Sequence, residues 1–334
     1  SLETFISALT IAACVDDPAV AEHHLPLTFF TIHRQDAVQA RVFAKIPDKF
    51  SKVGQRSAFA DVQFHGAETP HFIEGPSFDL QGNLFVTDIP FGRVFKITPS
   101  GDISVVVEYD GEPNGLKFHR DGRAFITDHK NGLMVLDVDT GKIEPFFDRP
   151  LFTRFRGVND LFFGAQGDIY FTDQGQTGLH DSSGRLYRLR TNGQLDCILD
   201  NIPSPNGLVL NSEENVVMLA VTRANCVWRV PLMKDGTTSK VGMAIQMTGG
   251  FGPDGMAIDA ENNLAVCHVG LGVVWLFSAL GEPMMRINSP TGKLVTNCAY
   301  GGTDNKQLFI TESKTGTILV TDMPVQGRTM FSHT

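Results

Sequence analysis

Long apolar runs, clusters of basic residues and closely spaced cysteines are all missing from this chain of 334 residues. No apolar run approaches the length of roughly 18 residues that a membrane-spanning helix needs, so no such span is expected. Lysine and arginine number 28 against 37 aspartate and glutamate residues, and the net charge is -9. Because the basic residues are also scattered, the sequence argues against binding to nucleic acid or to an anionic membrane.

The cysteines lie far apart, their number is odd, and no C-x-x-C pair occurs. We therefore expect no disulfide framework, and most of these side chains should be small buried hydrophobes. No basic stretch followed by an apolar one opens the chain in the manner of a signal peptide. Together these features favour a cytoplasmic protein.

Tryptophan occurs only at Trp228 and Trp275, and the Trp-Asp pair that is typical of WD repeats is absent. Helical periodicity is weak after about residue 60, whereas short apolar runs and turn pairs such as Asp121-Gly122 recur. The 33 glycines agree with this pattern. The composition therefore indicates many short strands joined by tight turns.

The chain contains a repeat with a spacing of about 40 to 48 residues, which is the length of a four-stranded propeller blade. In each copy an Asn, Asp or Glu precedes an apolar run, and a turn and a second apolar run follow. This position, which we call the ring position, is occupied by Glu74, Asn114, Asn159, Asn206, Asp254 and Asn297. Six copies predict an all-β fold, a six-bladed β-propeller with four antiparallel strands in each blade.

The repeat also divides the chain. Residues 1–39 do not follow it and are predicted to form a short N-terminal extension, whereas residues 40–334 are predicted to form the propeller as a single domain. A propeller must join its last blade to its first, commonly by an N-terminal strand. We expect residues 40–46 to provide that strand as the outer edge of the last blade.

The ring position points to a bound cation. The innermost strand of each blade lines the central channel, so the six side chains should meet at one channel mouth. Two carboxylates and four amides supply only oxygen donors. This is the ligand set of Ca²⁺, which accepts 6–8 oxygens in loose geometry, with Mg²⁺, Mn²⁺ or Zn²⁺ as possible substitutes. The sequence therefore predicts a divalent-cation site at the mouth.

A purely structural explanation of the ring position is also open. Asn114-Gly115, Asn206-Gly207 and Asp254-Gly255 are common turn pairs, and a turn at each blade entrance would repeat them. Glu74 is a poor turn residue, however, and no glycine follows Asn159 or Asn297. The cation interpretation explains the whole set better.

A second register lies 14 residues beyond the ring position in the first five copies and 15 residues beyond it in the sixth. It is occupied by Asp88, Asp128, Asp173, Ala220, His268 and Glu312. The Thr-Asp pairs in this register are typical of strand-end hydrogen bonding between blades. His268 breaks the acidic pattern, and it is either a structural histidine or a proton-transfer group near the cation.

Several segments of residues 40–334 together resemble the senescence-marker-protein/gluconolactonase family of six-bladed, calcium-dependent lactonases. They are Ile73-Glu74-Gly75-Pro76, Gly157-Val158-Asn159-Asp160, Pro205-Asn206-Gly207-Leu208, Gly252-Pro253-Asp254-Gly255-Met256 and Thr296-Asn297-Cys298-Ala299-Tyr300-Gly301-Gly302. Two further segments look like the microbial sugar-lactonase branch, namely Gly111-Glu112-Pro113-Asn114-Gly115 and Phe171-Thr172-Asp173-Gln174-Gly175.

The resemblance implies roles for the ring residues. It implies that Glu74, Asn206 and Asp254 are ligands of the divalent cation, and that Asn159 lies on the substrate side and also reaches the cation. Contacts with the substrate are expected from Asn114, Asn159, Arg156 and Asn297. The expected substrate is a small sugar-type or related lactone, and a homodimer is compatible with the sequence.

The expected reaction is hydrolysis of the lactone ester, with the cation polarising the carbonyl. Asp254 is the best candidate to activate water, and His268 or Asp173 could share that role as catalytic residues. Three alternatives stay open: a phosphotriesterase or aryl esterase that uses the same cation, a secondary-metabolite enzyme, and a non-enzymatic calcium-binding propeller.

Overall fold

Twenty-five β-strands in six sheets make up almost all regular structure in residues 36–149 and 153–334, which the computed structural model describes. Two strands precede the blades, β1 (Asp36–Gln39) and β2 (Arg41–Lys45). One short helix, α1 (Ala58–Gln63), begins at Ser57, whose hydroxyl accepts the backbone N–H of Ala60. This N-cap compensates for one of the unpaired amides at the helix start.

The remaining strands follow the chain blade by blade, each sheet running from the channel outwards. Blade one contains β3 (Ile73–Phe78), β4 (Leu84–Asp88), β5 (Arg93–Ile97) and β6 (Ile103–Glu108). Blade two contains β7 (Pro113–Phe118), β8 (Ala124–Asp128), β9 (Gly132–Leu136) and β10 (Ile143–Phe147). Blade three contains β11 (Val158–Phe163), β12 (Ile169–Asp173), β13 (Gly184–Leu189) and β14 (Leu195–Ile202).

Blade four contains β15 (Pro205–Leu210), β16 (Val216–Val221), β17 (Cys226–Pro231) and β18 (Gly242–Gln246). Blade five contains β19 (Gly252–Ile258), β20 (Leu264–Val269), β21 (Val273–Phe277) and β22 (Pro283–Asn288). Blade six contains β23 (Val295–Gly301), β24 (Gln307–Glu312) and β25 (Thr317–Asp322). The predicted all-β, six-bladed propeller is confirmed.

An N-terminal strand completes blade six, as the sequence predicted. Strand β2 pairs antiparallel with β25, with Arg41 opposite Val320 and Lys45 opposite Thr317. Strand β1 was not predicted. It adds to blade five as a fifth, parallel strand, with Asp36 opposite Met285. Four residues are too few to show a periodic pattern, which explains why the sequence did not indicate it.

Two further predictions concern residues or properties that the described structure does not test. The division at residues 39 and 40 stays a prediction, because residues 1–35 lie outside the described part of the chain. The homodimer also stays a prediction. In the described residues, no helix combines the length and the apolar character needed to cross a membrane.

Aromatic and aliphatic side chains fill the space between neighbouring blades. Strand β4 is buried along its whole length, whereas every residue of the outer strand β6 is exposed or half-buried. Phe85 of blade one meets Phe118 of blade two edge to face, with ring centroids 5.0 Å apart. Phe125 and Phe163 repeat this contact between blades two and three at 5.4 Å. Such pairs stabilise the packing beyond the area that they bury.

Threonine hydroxyls on the second strands connect the blades next to the channel. Thr87 donates to the carbonyl of Asn114 at 2.6 Å, and Thr172 donates to the carbonyl of Asn206 at 2.8 Å. Thr127 makes the same bond to Asn159. In three of the six blades, therefore, the backbone of the ring residue is held by the preceding blade.

The acidic residues of the second register serve a related structural purpose. Their carboxylates accept backbone N–H groups at the entrance to the inner strand of the same blade. Asp88 accepts from Phe72 at 2.7 Å, and Glu312 accepts from Leu294 at 3.1 Å. Asp88 is also paired with the buried Arg93 at 2.6 Å. Of the Thr-Asp pairs, the threonines therefore join neighbouring blades, as the strand-end interpretation predicted, whereas the carboxylates bond within their own blade.

Candidate active site

The six inner strands all change register beside the ring position. Strand β3, for example, pairs regularly with β4 at Glu74 and again at Ser77, with an irregularity between them. The other five inner strands show the same feature. Because a bulge re-aims side chains, consecutive residues at this point do not simply alternate between the two faces of the strand.

Asn297 links two carboxylates at this level of the channel. Its amide nitrogen donates to Glu74 Oε2 at 2.9 Å and to Asp160 Oδ2 at 3.2 Å. Its oxygen accepts the backbone N–H of Cys298 at 2.8 Å. Glu74, Asp160 and Asn297 are each at most 3% exposed. The amide thus holds two buried carboxylates that come from blades one and three.

Asp254 lies beside this pair and remains partly exposed. The environment of its carboxyl raises its pKa well above the usual range, first by burial and then through the negative charges of Glu74 and Asp160. The neighbouring amide of Asn206 lowers the pKa of Asp254. Burial and the charge of Asp160 similarly raise the pKa of Glu74 to about 7. Glu74, Asp160 and Asp254, with Asn206 and Asn297, form what we call the carboxylate cluster.

Lys117 carries the positive charge nearest to the two buried carboxylates. Its side chain is buried, and Nζ donates to the carbonyl of Leu116 at 3.2 Å. Its charge lowers the pKa of both Glu74 and Asp160, although burial outweighs it at each carboxyl. Glu74 and Asp160 therefore share one buried ammonium group, and one negative charge of this pair is left uncompensated.

The donor set fits a hard divalent cation, provided that amides take part. Among the described residues, no group of three or more His, Cys, Asp or Glu side chains has metal-holding geometry by itself. A cation at the cluster would therefore need amide oxygens as well as carboxylates, which is a mixture that Ca²⁺ accepts. Glu74, Asn206 and Asp254 belong to the cluster, and their role as ligands stays a prediction.

Of the four predicted substrate contacts, one belongs to the cluster and three do not. Asn159 donates through Nδ2 to Gln174 at 2.8 Å, and this orients its amide. Asn114 is half-buried. Arg156 is half-exposed, 3.9 Å from Asp181. Asn297, the predicted contact that belongs to the cluster, instead donates hydrogen bonds to Glu74 and Asp160.

The structure does not bring the other two predicted catalytic residues into the cluster. Asp173 is fully buried, and its two oxygens accept the backbone N–H groups of Arg156 at 3.1 Å and Gly157 at 2.8 Å. His268 is 1% exposed. Its Nδ1 accepts from the Trp275 indole at 3.2 Å, and its Nε2 lies 2.9 Å from the carbonyl of Gly249. Both side chains are engaged in structural hydrogen bonds, and their catalytic roles stay predictions that substitution has to test.

Sequence reasoning missed Asp160, which belongs to the cluster, and Lys117, whose charge acts on it. A signal for Asp160 was present, because glycine follows the ring residue in four blades but aspartate follows Asn159. The glycines are sterically required. A Cβ on Gly115 would lie 2.5 Å from Asp160 Oδ1, and one on Gly255 would lie 2.0 Å from Asn297 Cγ. The position after the ring residue therefore also faces the channel.

The fold and the site define a class: a six-bladed propeller whose channel holds buried carboxylates and amides. Residues 72–314 match the family described as SMP-30/Gluconolactonase/LRE-like region, and the chain belongs to this family, as predicted. Over 229 residues the chain is 32% identical to lactonase drp35 of Staphylococcus aureus (strain MRSA252). The aligned region covers 66% of this chain and 70% of the relative. Lactonase drp35 of Staphylococcus saprophyticus is 28% identical over 228 residues, or 65% and 70% of the two chains.

Solved structures show the same fold. A gluconolactonase from Xanthomonas campestris aligns with a TM-score of 0.68 and 21% identity over 85% of this chain and 97% of that chain. Regucalcin from Agrobacterium tumefaciens, described as a calcium-binding protein, aligns with a TM-score of 0.69 and 21% identity over 90% and 99%. At these identities the likeness concerns the fold alone.

Proposed function

We propose that the protein is a divalent-cation-dependent lactonase whose cation binds at the carboxylate cluster. The carrying observation is that three carboxylates from three blades are close enough for the charge of one to raise the pKa of another, while the charge of Lys117 acts on only two of them, Glu74 and Asp160. Family membership supports the class of reaction, hydrolysis of a cyclic carboxylic ester, because the curated relatives are named lactonases. The regucalcin neighbour, described as calcium-binding, supports the choice of Ca²⁺.

Glu74, Asn206 and Asp254 would hold the cation, with Asp160 and the oxygen of Asn159 beside it. A cation bound there would polarise the lactone carbonyl and stabilise the negative charge that develops on its oxygen. Ca²⁺ suits this site better than Mg²⁺, because Mg²⁺ demands near-ideal octahedral geometry. Mn²⁺ and Zn²⁺ are tested as substitutes.

The protein residues orient the reactants. Asp254 is the carboxylate of the cluster that remains partly exposed, so we assign to it the orientation of the attacking water and the acceptance of its proton. Asn206 lies next to Asp254 and favours its charged form. We assign contacts with the lactone to Asn114, Asn159 and Arg156. Asn297 fixes Glu74 and Asp160 in position.

The test begins with purified protein in chelator, to which Ca²⁺, Mg²⁺, Mn²⁺ and Zn²⁺ are added back one at a time. Sugar lactones and aromatic lactones should be hydrolysed only after a cation is restored. An aryl ester and a phosphotriester complete the panel, and preference for either would identify the corresponding alternative function. Full lactone hydrolysis in the chelated protein would rule out the proposal.

Variants connect the activity to the cluster. Glu74→Gln and Asp254→Asn should lose cation-dependent hydrolysis and weaken Ca²⁺ binding in calorimetry. Asp322→Asn is the control, because Asp322 is an exposed aspartate whose partner Arg41 is also exposed. Calcium binding by Glu74→Gln that equals that of Asp322→Asn would show that the cation binds elsewhere.

A further inference from the structure

An arginine without a partner stands at the channel mouth. Arg223 lies on the 3-10 turn Thr222–Ala224, which follows the second strand of blade four. Its side chain is exposed, and no carboxylate among the described residues lies within 4.0 Å of its guanidinium group. An exposed arginine alone would be unremarkable. Arg223 differs because its turn is anchored to the next blade and because its side chain follows a defined direction.

The turn that carries Arg223 is fixed against the entrance of blade five. The Thr222 hydroxyl donates to the carbonyl of Pro253, the residue before Asp254, at 2.7 Å. A Cβ on Gly252 would lie 2.0 Å from the carbonyl oxygen of Thr222, so the two segments touch without spare room. Arg223 is therefore held close to the partly exposed carboxylate of the cluster.

The arginine side chain also leans across the mouth. A Cβ on Gly178, in the loop that follows β12, would lie 3.6 Å from Arg223 Cγ. The aliphatic part of the side chain thus runs along blade three instead of projecting outwards. Its charge is near enough to lower the pKa of Asp254. Arg223 therefore presents a positive charge to whatever approaches the cluster from this side.

An unpaired guanidinium beside a cation site is repelled by that cation unless an anion lies between them. Its planar fork matches a carboxylate with two parallel hydrogen bonds, a geometry that lysine cannot reproduce. The positive charge of Arg223 therefore suits a ligand that brings its own negative charge to the mouth.

The neighbouring part of the rim is apolar. Phe251 is 62% exposed, two residues before Pro253, and its ring packs over Gly270, where a Cβ would lie 2.8 Å from Cδ2. Leu271 is 36% exposed on the same loop as Gly270. Exposed apolar side chains beside a polar site are typical of ligand contacts. Hydroxyl groups of a sugar would find no donors or acceptors in these two side chains.

We infer that the substrate is a lactone that carries a carboxylate, received by Arg223, and an apolar portion that rests on Phe251 and Leu271. This inference depends on the proposed lactonase function. Hydrolysis adds one water across the ring C–O bond. The product is therefore a hydroxy acid with two carboxylates, one from the ring and one that Arg223 held throughout.

The test compares 5-oxotetrahydrofuran-2-carboxylate with its neutral amide, using both enantiomers and the calcium-loaded protein. Arg223→Gln should lower kcat/KM for the acid by about 10- to 100-fold, the value of one charge-assisted hydrogen bond. The amide should change by less than about threefold on the same argument. Arg223→Lys should recover only part of the loss, and added salt should raise KM for the acid alone.

Arg229→Gln is the matched control. Arg229 is exposed on the same blade, three residues into β17 and hence about 10 Å along the strand from the turn at the mouth. This variant should hydrolyse both compounds at the parental rate. An equal effect of Arg223→Gln on acid and amide, or parental preference for the amide, would overturn the inference.

The two proposals fail in distinguishable ways. If cation-dependent hydrolysis of any lactone is found without preference for the acid, only the inference fails. If neither test compound is hydrolysed, calorimetric titration with the acid tests whether Arg223 binds a carboxylate. Binding must then be present in the parent and at least about tenfold weaker in Arg223→Gln, and equal or absent binding refutes the role of Arg223.

Discussion

Gly255→Ala tests the geometry of the site with the smallest possible change. Gly255 follows Asp254 on β19, and an added Cβ would lie 2.0 Å from Asn297 Cγ and 2.1 Å from its Oδ1. Ordinary van der Waals contacts of a Cβ begin at 3.4 Å. The methyl group therefore cannot be accommodated unless Asn297 moves by more than 1 Å, about the length of a covalent bond.

The expected loss of stability follows from the hydrogen bonds that Asn297 makes. Its amide donates to Glu74 at 2.9 Å and to Asp160 at 3.2 Å, and a hydrogen bond to a charged group contributes about 1.5–3 kcal/mol. Overpacking of a tight site costs about 1–3 kcal/mol in addition. We expect the free energy of unfolding to fall by about 2–5 kcal/mol, since some of the strain will be relieved by local movement.

Urea denaturation measures this loss, and calorimetric titration with Ca²⁺ measures the accompanying loss of binding. The control is Gly242→Ala on β18, where an added Cβ would meet nothing within 4 Å. That variant should be unchanged, or more stable by up to about 1 kcal/mol, because alanine restricts the unfolded chain. If the two variants have equal stability and equal calcium affinity, Asn297 is not packed against Gly255 as described.

Three further predictions concern single groups. In chelator, Glu74→Gln should be about 3 kcal/mol more stable than the parent at pH 8 by urea denaturation and equal to it near pH 4.5. In the folded protein the pKa of Glu74 is raised from 4.5 to about 7. The stability that this carboxyl contributes is therefore fully present below pH 4.5 and is lost as the pH rises through 7. An equal difference in stability between variant and parent at pH 8 and at pH 4.5 would contradict this prediction. Asp88→Asn should cost about 3–5 kcal/mol, because it leaves the buried Arg93 unpaired, whereas Asp322→Asn at an exposed pair should cost less than about 1 kcal/mol. His268→Gln should lower Tm but change kcat/KM by less than about threefold, since its ring is already hydrogen-bonded. A loss of more than about 100-fold would restore its catalytic role.

The repeat determined the fold and the position of the closing strand. Alternation of apolar residues, turn pairs and a constant blade length are local properties, and six copies leave few other ways to bury the apolar faces. The strand over residues 41–45 was found for the same reason. Strand β1 shows no such pattern, and only its pairing with β22 identifies it.

The sequence by itself also determined which chain positions converge, because equivalent points of six blades meet at one mouth. It did not determine which side chains face inwards. The bulge beside each ring residue breaks the two-residue alternation, so Asp160 joins Glu74 and Asn297 although its neighbour Asn159 occupies the ring position. Whether a polar side chain is free to act depends on partners that are distant in the sequence. His268 and Asp173 are engaged by such partners, and that could be decided only by the tertiary structure.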